Sequence, residues 1–244
     1  MRVWPVALGL SIAGSVGGLL AAGLLLAFHQ DVRSRLVPWL VSYAVGTLLG
    51  AALLALAPEA LETLPPATAL GTLLAGILTF FMLEKLVLWR HCHDAGECRV
   101  HRSTTTLIIV GDTVHTFVDG VVIAAAVLIS VPLGITTALA IIAHEVPQEA
   151  GDFAVLLSAG LTRSRALLLN VASAGGGLFG ATLMLLSGTE TPRVVPYVLA
   201  FAAGNFMYVA MSDLIPTLHR GQLDSSAIRQ VTLIALGVLT IAVL

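Results

Sequence analysis

The chain has 244 residues, of which 57% are hydrophobic and 11% charged, with a formal net charge of -2. A soluble domain carries charge on about 25% of its residues, so this composition excludes an ordinary cytosolic globule, and its hydrophobicity excludes intrinsic disorder. The near-neutral balance leaves no basic patch for nucleic acid, and at about 20 residues per crossing the length suits roughly seven to nine membrane-spanning helices.

Met1 and Arg2 precede an apolar run from Pro5 to Phe28. That run exceeds the ~7–15-residue core of a signal peptide and reads as a first transmembrane helix. Apolar runs broken by charge, Pro or Gly then give eight expected spans, at 6–28, 37–57, 67–89, 104–130, 133–160, 165–187, 194–218 and 228–244. Lipid-facing barrel strands would alternate with period two over ~10 residues, and stretches such as Leu19 to Leu26 do not. The expected fold is an all-α integral membrane protein, a single transmembrane domain over residues 1–244.

The connections set an orientation. Arg33, Arg35, Lys85, Arg90, Arg99, Arg102, Arg163, Arg165, Arg220 and Arg229 lie at or between the ends of spans one and two, three and four, five and six, and seven and eight. The opposite side carries only Arg2 and Arg193, beside Glu59, Glu62 and Glu190. By the positive-inside rule the odd-to-even connections face the cytoplasm and both termini face outside. The expected location is a plasma membrane or bacterial inner membrane, crossed several times. Two cysteines, Cys92 and Cys98, are too few for a disulfide scaffold.

Spans four and five carry polar residues where lipid should forbid them. The fourth holds Asp112, His115, Thr116 and Asp119; the fifth holds His144, Glu145, Gln148, Glu149 and Asp152. An acid at mid-membrane costs about 2.5–3.5 kcal/mol on insertion scales, so these groups must face inward and be paired, hydrated or bound to a cation. At about 100° per residue, the first set falls within an arc of roughly 100° and the second within roughly 140°. Two polar stripes therefore face each other across a helix pair. Imidazole nitrogens and carboxylate oxygens at i, i+3 and i+4 are what a divalent transition ion requires. Pro147 frees the carbonyl of residue 143, and Gly111, Gly120 and Gly151 are expected to admit neighbouring helices. A zipper that only specifies packing needs one or two polar groups; a proton relay built from the same acids is the other alternative.

These two segments resemble the signature of the ZIP (Zrt/Irt-like) family of divalent metal transporters. The fourth span matches at Gly111, Asp112, His115, Phe117, Asp119 and Gly120, and the fifth at His144, Glu145, Pro147, Glu149, Gly151, Asp152 and Phe153. The likeness extends to Ala57-Pro58-Glu59, to Phe80 through His93, and to Ala202-Ala203-Gly204 with Tyr208 and Asp213. It implies eight transmembrane helices with both termini outside, a two-metal site on helices four and five, a homodimer, and import of zinc or related ions. It further implies ligand positions at His115, Asp119, His144, Glu145 and Gln148, a stripe continued by Glu149 and Asp152, and an acid at Asp213 lower on the exit route. Thr116 and Gln148 depart from the family's usual Asn and His or Glu, and both offer a neutral oxygen. One branch has a glutamate in helix six where this chain has Gly175-Gly176-Gly177.

Between spans three and four, residues 90–103 include His91, Cys92, His93, Asp94, Glu97, Cys98 and His101. This is dense soft-ligand chemistry for zinc, and the resemblance implies a cytoplasmic metal-binding loop here. The alternative is a solvated connection whose histidines cap helix ends.

The expected function is import of a divalent transition metal, zinc first, with cadmium, iron, cobalt or manganese as related substrates because the Irving–Williams order leaves selectivity to geometry. An intramembrane zinc hydrolase is a second reading, since His144-Glu145-Val146-Pro147-Gln148 begins like H-E-x-x-H. Its second histidine is missing, and a proline interrupts the helix the ligands must share. A membrane metal sensor that binds without transporting is a third.

Overall fold

Helix accounts for nearly all of the computed structural model, which describes residues 3–92, 100–187, 191–218 and 225–244, with no strand among them. In order the helices are α1 (Val3–Ala27), α2 (Gln30–Gly50), α3 (Ala57–Thr63), α4 (Pro66–Cys92), α5 (Val100–Ile129), α6 (Val131–Ser158), α7 (Arg163–Leu186), α8 (Thr191–Tyr208), α9 (Ile215–Leu218) and α10 (Ser225–Val243). Two π-helical segments, Ala51–Leu56 and Val209–Leu214, join α2 to α3 and α8 to α9.

Local chemistry sets the boundaries. Ser130 caps α6 by accepting a hydrogen bond from the Leu133 amide at 3.2 Å, and Thr162 caps α7 through the Arg165 amide at 3.4 Å. Between these helices Gly160 takes a φ of 88°, open to a residue without Cβ. It lets the Leu161 amide reach back to the Leu156 carbonyl at 3.2 Å, closing α6 in a tight turn. Several helices outrun their expected apolar windows: α2 begins at Gln30, α4 continues to Cys92, and α5 starts at Val100. Backbone hydrogen bonding does not stop at the edge of the hydrocarbon, so charged ends remain helical. The π segments were not expected, because a change from i→i+4 to i→i+5 bonding leaves no mark on hydrophobic periodicity.

Among the described residues, six helical stretches are long and apolar enough to cross a membrane: Val3–Leu25, Ser34–Thr63, Pro66–Leu83, Ile109–Ile129, Arg163–Leu186 and Arg193–Leu218. Ala227–Val243 is apolar but shorter. Helix α6 is long enough, and its polar stripe lowers its hydropathy. Outward leucines such as Leu20 and Leu24, 65% and 69% exposed, form an apolar exterior suited to lipid rather than water.

Packing divides into two groups. Helices α1, α5, α6 and α7 pack against one another; α10 packs on α2, and α4 on α8. The groups meet chiefly where α2 lies on α6 and α5 on α8. The second half of α5 is buried on every side from Val122 to Val127, as expected for a central helix. The stretch before it seats on α7 through small residues: a Cβ at Gly120 would overlap the carbonyl of Gly177, and one at Gly180 the carbonyl of Phe117. Gly120 thus does what the sequence suggested. Gly111 and Gly151 do not, because no neighbouring atom lies within 4 Å of a Cβ at either; both line a cavity.

Candidate metal centre

Helices α5 and α6 bring two stripes together, and four side chains converge. His115 and Asp119, one turn apart on α5, meet His144 and Glu145 of α6, with one ligand atom from each lying within 4.8 Å of all the others. The two imidazole Nε2 atoms are 3.1 Å apart. His115 Nε2 lies 3.6 Å from Asp119 Oδ2 and 3.5 Å from Glu145 Oε1; His144 Nε2 lies 3.6 Å and 3.8 Å from the same two atoms. His144 Nδ1 donates to the Ala140 carbonyl at 3.1 Å, which orients the ring and directs Nε2 inward.

The cluster is buried and its carboxylate oxygens accept no hydrogen bond. His144 and Glu145 are each 1% exposed, and all four carboxylate oxygens of Asp119 and Glu145 have no hydrogen-bond partner. Two acids buried without donors carry a large desolvation cost. A divalent cation between them would supply the missing charge, with two imidazoles and two carboxylates as mixed ligands. Aromatic rings close the far walls: Phe80 of α4 meets His115 nearly edge-on, and Phe206 of α8 lies against His144.

A cavity of about 670 Å³ adjoins the cluster. His115, Asp112, Gln148, Asp152 and Asp213 line it, together with Phe80. Its remaining lining comes from the part of each helix nearer the basic connections, so it leads from the cluster toward that side. Asp213 reaches the cavity from the second π segment, where the extra residue per turn re-aims the side chain.

Two expected ligands lie elsewhere. Thr116 turns its hydroxyl to α7 and lies within hydrogen-bonding distance of the Ser173 carbonyl at 2.9 Å and of the Asp112 carbonyl of its own helix at 3.0 Å. It holds two helices together rather than joining the four-residue cluster. Glu149 is fully buried but lines a second cavity, between α1, α6 and α7. A stripe as wide as that of α6 serves two sides, and the sequence treated it as one. The loop candidates His91, Cys92, His93, Cys98 and His101 fall outside the residues whose side chains are described.

The polar groups of α7 were not among the expected site residues. Ser173 donates to Asp112 Oδ2, and Asn170 lies one turn before it, both fully or almost fully buried. The signal was present: two polar residues at i and i+3 in an apolar span, on the face that seats α5.

The family model described as ZIP Zinc transporter matches residues 89–244, which include every residue of the cluster. Zinc transporter ZIP13 of Pongo abelii is 34% identical over 228 residues, covering 85% of this chain and 67% of its own length. The human zinc transporter ZIP13 is 31% identical, with 85% of this chain and 71% of the relative covered. Zinc transporter ZIP4 of Rattus norvegicus is 46% identical over a shorter 112 residues, or 46% of this chain and 17% of that protein.

Proposed function

The chain belongs to the ZIP family, a family of membrane transporters rather than enzymes, and from that premise we propose that it carries zinc across the membrane into the cytoplasm. The observation that carries this reading is the convergence of His115, Asp119, His144 and Glu145 with four unpartnered carboxylate oxygens. The ion sheds water onto these ligands, then passes to Gln148, Asp112, Asp152 and Asp213 along the cavity. Conduction requires a site tight enough to enter and weak enough to leave, and imidazole with carboxylate, without thiolate, meets that requirement. Cadmium, iron, cobalt and manganese follow the same route where geometry admits them. Uptake of zinc by proteoliposomes containing only this protein tests the function: the expected result is saturable accumulation, and none would leave a sensor that binds without transporting.

The same reading includes eight crossings with both termini outside, and a homodimer as the resemblance implies. The orientation rests on ten basic residues against two across the connections. In sealed right-side-out cells, an impermeant thiol reagent should leave Cys92 and Cys98 unlabelled until the cells are lysed. Labelling of intact cells would reverse the topology.

The loop tunes transport without being required for it. Replacing His91, Cys92, His93, Cys98 and His101 together by Ser is expected to change uptake by only a few-fold, since ligands outside the membrane do not lower the barrier at its centre. Complete loss of uptake from a folded variant would make the loop an obligatory exit site.

A further inference from the structure

The second cavity, about 390 Å³ between α1, α6 and α7, is lined mostly by apolar residues, with Glu149, Asn170, Arg163 and Ser164 as the polar ones. Glu149 and Asn170 are both 0% exposed, and neither carboxylate oxygen of Glu149 nor either amide atom of Asn170 has a hydrogen-bond partner. Arg163 lines the same cavity, yet the Glu149 oxygens stay unpaired. Each unsatisfied buried polar group is costly, and here two residues that line one cavity carry four such atoms. Asp112 is not among the residues lining this cavity, but it is bonded to α7 beside Asn170. Asp112 Oδ2 accepts from Ser173, whose hydroxyl also lies 2.9 Å from the backbone carbonyl of Asn170, while Asp112 Oδ1 is buried with no partner.

We propose that Glu149 and Asn170, with Asp112 at their edge, form a second cation site, separate from the histidine cluster and built from oxygen alone. Neither Glu149 nor Asp112 belongs to the four-residue cluster. Two carboxylates and a carboxamide suit a hard divalent ion such as manganese, magnesium or calcium that keeps part of its water, and the cavity has room for that water. The ion enters from the side of α5, because Asp112 lines the large cavity, whereas Arg163 in the smaller cavity makes the opposite approach positive. The site shares Asp112 with the proposed transport route, but its ligands are oxygens and the cluster's imidazoles take no part in it.

Manganese alone is the probe, with the purified full chain in detergent and bound ion read by electron paramagnetic resonance. A His115→Ala/His144→Ala double variant, stripped of imidazole ligands, should still bind manganese, with no nitrogen coupling in the spectrum. Adding Asn170→Leu should weaken that binding at least about tenfold, whereas adding Asn170→Asp, which supplies a second charged oxygen, should tighten it by about tenfold. Should the Leu variant fail to fold, the Asp variant and Glu149→Gln decide, the latter expected to weaken binding. No manganese bound by the double variant, or binding indifferent to these changes, overturns the site. Zinc uptake by the wild type is measured separately, so failure of this site and failure of the transport reading are distinguishable.

Discussion

Replacing His144 by alanine should reduce zinc uptake to background while leaving the protein inserted and folded. The ring places Nε2 3.1 Å from that of His115, and its Nδ1 is fixed by the Ala140 carbonyl, so no neighbouring side chain can take over its position. His115→Ala and Asp119→Ala should do the same. Perturbing groups that merely orient a metal ligand costs about 10–100-fold in affinity or activity, and removing a ligand costs more. Folding should move the other way. Asp119 and Glu145 are buried together with no donor on any carboxylate oxygen, so metal-free Asp119→Asn loses a charge that destabilises the wild type. The expected gain is about 1–3 kcal/mol in metal-free protein, seen as a higher melting temperature, together with loss of uptake. Full transport by any of the three alanine variants would remove that residue from the pathway. A fall in both stability and uptake for Asp119→Asn would give the acid a structural role.

Substituting Gly120 by leucine should be the most damaging single change outside the cluster. Even a Cβ there would overlap the Gly177 carbonyl, and the obstacle is backbone on both sides rather than a side chain able to turn away. Helix α5 must move off α7, taking His115 and Asp119 with it. Overpacking costs typically about 1–3 kcal/mol where side chains can adjust, and more is expected when two backbones are forced apart. Melting of the purified protein and zinc uptake should both show the loss. Gly111→Ala and Gly151→Ala are the controls: with nothing within 4 Å of either Cβ, both should melt close to the wild type. Equal damage at all three glycines would mean that the α5–α7 contact does not set the role of Gly120.

Much of this protein was legible from residue order alone, for a physical reason. Lipid forbids unpaired polar groups, so Asp112, His115, Asp119, His144, Glu145 and Asp152 had to face inward, and the period of the helix told which side of α5 and α6 they share. The helical class followed from composition. Periodicity fixes an angle around one helix axis, however, and says nothing about which helix stands opposite. Only the tertiary structure decided that His115, Asp119, His144 and Glu145 converge, while Thr116 bonds to α7 and Glu149 faces the cavity beside Asn170. It also decided which glycine matters, since Gly120 meets a backbone and Gly111 and Gly151 meet none. The π segment that brings Asp213 to the cavity belongs to the same class: it depends on how α8 packs, and an apolar run reads alike whether its hydrogen bonds skip four residues or five.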